Sequence, residues 1–155
     1  MTTIAWDGQI MAADTLAVDN WGLKEYCSKI FTGKDFVMGG AGSRHQILKW
    51  WRQIEERDLE FVLQFGYPDF HKEDNDPAIL LVDEKGNLWR HIGGLFLQHD
   101  RGYHAIGSGR DYALAAMHCE RDARKAVEIA KIFDNNTGGD VQTVQVLPKL
   151  DRWPS

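Results

Sequence analysis

Residues 1–15 read MTTIAWDGQIMAADT, and this stretch decides the fold. Thr2 to Trp6 is a short run of β-branched and aromatic residues, the composition of a strand. Asp7-Gly8 follows, a dipeptide that tolerates the positive φ of a tight hairpin turn. Gln9 to Ala13 then returns as a second strand. A parallel crossover needs about a dozen residues or more, so strands joined this closely must run antiparallel.

The pattern extends outward from the hairpin. Residues 15–25 are mixed and turn-like, and Ser28 to Thr32 is a third short strand. Gly33-Lys34-Asp35 makes a turn, and Phe36 to Met38 runs into Gly39-Gly40-Ala41-Gly42. Ser43 is placed to cap a helix. Ile47, Leu48, Trp50, Trp51, Ile54, Leu59, Val62 and Leu63 then recur at helical spacing, predicting one long helix that ends near Gly66 and Pro68. Residues 69–76, DFHKEDND, form a charged loop. A second β section opens with the apolar run Ala78 to Val82, turns at residues 84–87 and returns through Leu88 to Ile92. After Gly93-Gly94, short strands are expected at 95–98 and 103–106. Gly107-Ser108-Gly109 leads into a helix near 110–120. Asp122 caps another, with Ala126, Val127, Ile129, Ala130, Ile132 and Phe133 on its apolar face. Residues 135–140 are a loop, Val141 to Leu147 is a last alternating strand, and the tail 148–155 carries no clear element. This order predicts an α+β fold, a largely antiparallel sheet sandwich covered by helices, with residues 1–155 as one domain.

The 155 residues carry 18 Lys and Arg against 23 Asp and Glu, a net charge of −5. An acidic chain with no basic stripe is not built to bind a phosphate backbone, so no nucleic-acid partner is expected. No apolar run approaches the roughly 18 residues of a membrane span. The first residues have neither the basic nor the apolar region of a signal peptide. Cys27 and Cys119 are not a C-x-x-C pair and read as reduced core residues. Together these point to a cytoplasmic protein. The histidines show no metal-binding spacing.

Several short motifs can carry chemistry. Thr2 reads first as a β-branched strand residue. A threonine hydroxyl becomes a useful nucleophile only if a base takes its proton, and a free α-amine on the same residue supplies one once Met1 is removed. That amine titrates near pH 7.7–8.0 and is partly neutral in a cell. Asp14 ends the second strand, and Lys29 is either an edge lysine or an inward one that needs Asp14 as partner. An ammonium beside the threonine would lower the pKa of its hydroxyl or amine. Gly39-Gly40-Ala41-Gly42-Ser43 is either a tight turn or a place where backbone N–H groups meet an oxyanion. It matches neither the dinucleotide fingerprint nor the P-loop. Ser108 reads as a helix cap, and the Gly138-Gly139 pair as a helix C-terminal loop.

Taken in order, these motifs resemble the proteasome β-subunit and HslV family of N-terminal-nucleophile hydrolases, over roughly residues 2–147. The resemblance rests on the Thr-Thr start, Ala12-Ala13-Asp14-Thr15, Ser28-Lys29, Gly40-Ala41-Gly42, Gly107-Ser108-Gly109 and Asp134-x-x-Thr137-Gly138-Gly139. It implies a four-layer αββα sandwich and hydrolysis of peptide bonds by an N-terminal threonine inside an oligomeric ring. Thr2 would be the nucleophile, Asp14 and Lys29 its tuning pair, and the Gly42 N–H the oxyanion donor. Ser108 would bond the terminal amine, and Asp134 with Thr137 would orient both. Cys27, Gly40 and Arg44 would surround the substrate residue before the cut, with Arg44 favouring an acidic side chain. Backbone carbonyls of Lys131, Asp134 and Thr137 would be the place for a structural cation, and the chemistry itself needs no cofactor. Protein or peptide substrates, a homo-oligomeric ring and an ATPase unfoldase are the implied partners. The sequence departs from the family in its shortened helical region after the first long helix. Three other readings stay open: a silent ring-forming subunit that retains Met1, a small-molecule amide hydrolase of the same chemistry, and a nucleotide-binding module built on the Gly40–Ser43 turn.

Overall fold

The computed structural model describes residues 2–19, 21–65, 77–92 and 94–146. The predicted helix end at Gly66 and Pro68, the 69–76 loop, the end of the last strand at Leu147 and the 148–155 tail lie outside these. The N-terminal hairpin forms as β1 (Thr3–Trp6) and β2 (Ile10–Ala13), paired antiparallel. Asp7 organises its turn, its carboxylate accepting from the Gln9 and Ile10 N–H groups. A later strand, numbered β10 (His104–Gly107), pairs with β1, and β11 (Gln142–Gln145) pairs with β2. The result is a four-stranded sheet ordered β10-β1-β2-β11. The second sheet runs β5 (Ile30–Thr32), β6 (Phe36–Ala41), β7 (Ala78–Asp83), β8 (Leu88–Ile92) and β9 (Leu95–Gln98), antiparallel throughout.

The period-2 alternation of each strand sorts its side chains between two buried faces. Ile4, Trp6, Met11, Ala13 and Ile106 of the first sheet meet Ile30, Leu80, Val82 and Leu88 of the second. The opposite face of the first sheet is built from Ala5, Ala12 and Ala105. These small residues let α3 (Arg110–Cys119) and α4 (Ala123–Phe133) approach closely through Ala113, Met117, Ala126 and Val127. On the outer face of the second sheet, Phe36, Met38, Ile79 and Leu81 pack under α1 (Arg44–Glu56) and α2 (Leu59–Phe65). The architecture is therefore a four-layer αββα sandwich with three apolar seams. Gly39 lets the two sheets approach closely, since a Cβ there would fall 2.7 Å from Ile4 Cγ2.

Several local expectations are corrected. The single helix predicted from residue 43 to about 66 is two. Arg57 is extended (φ −116°, ψ 169°), and the Asp58 carboxylate accepts from the Glu60 N–H at 3.2 Å to start the second. The apolar spacing ran on because Ile54, Val62 and Leu63 serve one seam. A helix thus does follow α1, though it is short. Residues 15–25 are not merely turn-like but hold the hairpin β3 (Leu16–Val18) and β4 (Lys24–Tyr26). Only Leu16 of these strands is buried, so no alternation marked them. Gly39 and Gly40 belong to strand β6 rather than to a turn. Ser43 occupies the cap position of α1 without a side-chain bond, and the cap of α3 is Gly109, not Ser108. Asp122 does cap α4, accepting from Lys125 N–H, a contact worth about 1 kcal/mol. Cys27 is half-buried and Cys119 exposed, and neither is a core residue. No helix among the described residues is long and apolar enough to cross a membrane.

Candidate active site

Thr2 lies immediately before β1, at one end of the sheet sandwich. Gly107, which ends the neighbouring β10, has φ +96°, and a Cβ there would collide with the Thr2 carbonyl oxygen. Only glycine lets the two strand ends close around the threonine. Asp14, fully buried where β2 ends, binds this corner together. Its Oδ1 accepts the Thr3 N–H at 3.0 Å and the Lys29 Nζ at 2.9 Å, and its Oδ2 accepts the Gly138 N–H at 3.0 Å. Lys29 is thus inward rather than an edge residue, and its ammonium also donates to the Leu16 carbonyl at 2.5 Å. Burial pushes the Lys29 pKa below that of an ordinary lysine, although the Asp14 carboxylate opposes the shift.

On the other side of Thr2 runs a chain of hydroxyls and one carboxylate. Ser108 Oγ donates to Asp134 Oδ2 at 2.5 Å and stands 3.5 Å from the Thr2 carbonyl. Thr137 Oγ1 donates to the same oxygen at 2.6 Å and is 2.7 Å from Thr3 Oγ1. Desolvation would raise the Asp134 pKa, but the bonds from Ser108, Thr137 and the Asn136 N–H outweigh it and hold the carboxyl below its usual value. Lys131 lies in the last turn of α4, before this loop, and the Asp134 carbonyl accepts the Thr137 N–H. Among the described residues no group of three or more His, Cys, Asp or Glu is placed to hold a metal.

Thr2 opens onto two cavities. The first, about 400 Å³, is lined by Cys27, Lys29, Gly40, Gly42 and Arg44, with Leu16 to Val18, Phe31 and Ile47. Gly40 must be small here, because a Cβ would fall 2.6 Å from Ile47 Cγ2. Arg44 donates to the Ser28 carbonyl at 3.0 Å and lies 6.0 Å over the Phe31 ring, so its charge is held at the cavity wall. Gly42, at φ +125°, borders both cavities. The second, about 610 Å³, is lined by Ser108 and also by Arg90, His104 and Arg110.

Three solved structures share this architecture. The BPH of Thiobacillus denitrificans matches at a TM-score of 0.69 and 23% identity in its complex with epoxomicin, over 95% of this chain and 99% of that one. The same protein without that compound gives 0.68 and 22%, over 96% and 99%. Eukaryotic HslV from Trypanosoma brucei gives 0.70 and 20%, over 92% and 99%. The chain has the fold of HslV and the N-terminal-nucleophile hydrolases. No family model matches the sequence, and no curated protein matches it.

Within this HslV-type fold, Thr2, Asp14, Cys27, Lys29, Gly40, Gly42, Arg44 and Ser108 fall at this end of the sandwich, Asp134 and Thr137 lie on the loop after α4, and Lys131 lies within the last turn of α4. Other contributors left no sequence signal. Gln142 in β11 accepts the Lys29 N–H at 2.6 Å and the Ile30 N–H at 3.3 Å through Oε1, bracing the strand that carries Lys29. Thr3 joins the hydroxyl chain through its side chain. Arg90, His104 and Arg110 come from β8, β10 and α3, and nothing in their spacing links them.

His104 gives this end of the fold a pH-dependent element. Its ring is 4.4 Å from that of His99. Burial first, then His99, Arg90 and Arg101, lower its pKa to about 4. The unfolded chain binds this proton near pH 6.5, so the stability His104 contributes is complete above that value and is lost on acidification towards pH 4. A His104→Gln variant is expected to lose less Tm than wild type between about pH 7 and about pH 4.5. Equal losses in the two proteins would show that His104 titrates as an ordinary histidine.

Proposed function

We propose that this chain is a threonine peptidase whose nucleophile is Thr2, exposed by removal of Met1. The observation that carries the reading is the buried Lys29–Asp14 pair, whose Lys29 lines one cavity with Thr2. An ammonium taken out of water is costly, and beside a hydroxyl and an α-amine it favours their deprotonated forms. The α-amine of Thr2 would take the hydroxyl proton as Oγ1 attacks the substrate carbonyl. The Gly42 N–H would hold the developing oxyanion. The amine would then pass its proton to the leaving peptide amine, leaving an ester on Thr2 that water hydrolyses. Ser108, positioned by Asp134 and Thr137, would hold the amine in place.

Cys27, Gly40 and Arg44 would receive the residue before the cut. Exchanging Glu for Lys at that position is expected to lower kcat/KM about tenfold, and less than twofold in Arg44→Ala. We extend the reading to a cytoplasmic homo-oligomeric ring acting on protein or peptide substrates, served by an ATPase unfoldase. A structural cation on the carbonyls of Lys131, Asp134 and Thr137 belongs to the same proposal.

The test is intact mass on protein made without an N-terminal tag. Loss of Met1 is expected, followed by the gain of one inhibitor mass on incubation with epoxomicin, the compound bound in the BPH structure. Thr2→Ala should gain none. Retention of Met1 in the native host without labelling would favour the silent ring-forming subunit. Turnover of small amides without cleavage of any peptide would move the substrate to the small-molecule class.

A further inference from the structure

The second cavity beside Thr2 has a charge of its own. Arg90 projects from β8, His104 stands at the start of β10, and Arg110 opens α3. Among the described residues no aspartate or glutamate lines this cavity, and the rest of its wall is mostly alanine, glycine and aliphatic side chain. Arg110 donates to the Gly107 carbonyl at 3.1 Å, which holds its stem against the strand that ends at the site. Among the described residues the carboxylate paired with it is that of Asp111, 3.9 Å away, turned to solvent and not part of the lining. His104 is largely neutral near pH 7, with its pKa at about 4, so the standing charge comes from two arginines that stay protonated.

Thr2 and Gly42 border both cavities. A substrate carbonyl held between the Thr2 hydroxyl and the Gly42 N–H would therefore lie between them. In an acyl transfer the acyl part and the leaving amine extend to opposite sides of that carbonyl. With the residue before the cut in the Arg44 cavity, the chain after the cut runs into the Arg90–Arg110 cavity.

We propose that this second cavity receives the substrate segment on the C-terminal side of the scissile bond and selects an acidic side chain there, with Arg90 and Arg110 as the specificity-determining residues. This rests on Thr2 being the nucleophile. A carboxylate brought beside two arginines in a part-enclosed cavity gains from both, whereas a lysine there is repelled and leaves its ammonium without a partner.

The test uses internally quenched peptides with one N-terminal half and Glu, Gln or Lys immediately after the scissile bond. The same N-terminal half joined to aminomethylcoumarin places no residue in the second cavity. Wild type is expected to cleave the Glu peptide with a kcat/KM about tenfold above the Lys peptide, Gln falling between. The ratio should shrink as NaCl rises from about 50 mM to about 500 mM. In the double variant Arg90→Glu and Arg110→Glu the preference should invert. Because each protein is scored by its own ratio, partial loss of folded material does not alter the reading. If the double variant does not fold, the wild-type ratio and its salt dependence still decide. A Glu-to-Lys ratio near one in wild type, with the coumarin amide cleaved, overturns this inference and leaves the peptidase reading standing. A wild-type ratio that persists unchanged in the double variant removes the arginines from the role. No cleavage of either substrate by protein lacking Met1 overturns both.

Discussion

Thr2→Ala is expected to lower kcat for peptide cleavage by about four orders of magnitude or more, the scale seen when a covalent nucleophile is removed. The hydroxyl is the one group that can carry the acyl intermediate, and neither the amine nor the Lys29 ammonium can replace it. Alanine keeps the α-amine, the Asp14–Lys29 pair and the Asp134 hydroxyl chain, because the contacts around Thr2 run through its carbonyl and through Thr3. The fold should therefore survive, with stability changed by about 1 kcal/mol or less. Thr2→Ser keeps the hydroxyl and should retain measurable turnover. Steady-state kinetics on one fluorogenic peptide, beside thermal melts of the same samples, separate chemistry from folding. Wild-type rates in Thr2→Ala would mean that another group does the chemistry.

Asp14→Ala is expected to cost about 3–5 kcal/mol of stability, because it leaves the Lys29 ammonium buried without its carboxylate. The same change strips the acceptor from the Thr3 and Gly138 N–H groups, so the strand that follows the nucleophile and the loop before β11 lose their common anchor. With a total stability of about 5–15 kcal/mol, this is a large share of what holds a domain folded. Urea unfolding should show the midpoint fall at an unchanged slope. Activity should fall with it, since Asp14 fixes the place of both Lys29 and the start of β1. The double variant Asp14→Ala with Lys29→Met should recover part of the loss, because no unpaired ammonium is then left at this place. A midpoint shift corresponding to less than about 1 kcal/mol in Asp14→Ala would show that the pair is solvated and contributes little.

Much of the scaffold was legible in the sequence because its signals are local. Asp7-Gly8 specifies a hairpin by turn chemistry alone, and the run Ala78 to Val82 specifies a strand buried on both faces. The helix after Ser43 was legible in its apolar face but not in its break, because Arg57 and Asp58 interrupt the backbone without interrupting the seam. The β3–β4 hairpin was missed for the opposite reason. Its strands are held by pairing with each other and by Asp19, which accepts the Trp21 and Leu23 N–H groups, and they bury almost nothing.

The candidate site divides in the same way. The order of Thr2, Asp14, Lys29, Gly42, Ser108 and Asp134 along the chain was visible as a resemblance, residue by residue. That Lys29 turns inward, that Gln142 braces its strand and that Arg90, His104 and Arg110 share one cavity was not. The sequence by itself determined which faces of the core-packed strands and helices are apolar, since that depends on neighbours two to four residues away. Only the tertiary structure decided which faces oppose each other, because the contacts that make the site join Thr3 to Thr137 and Ser108 to Thr2 across most of the chain.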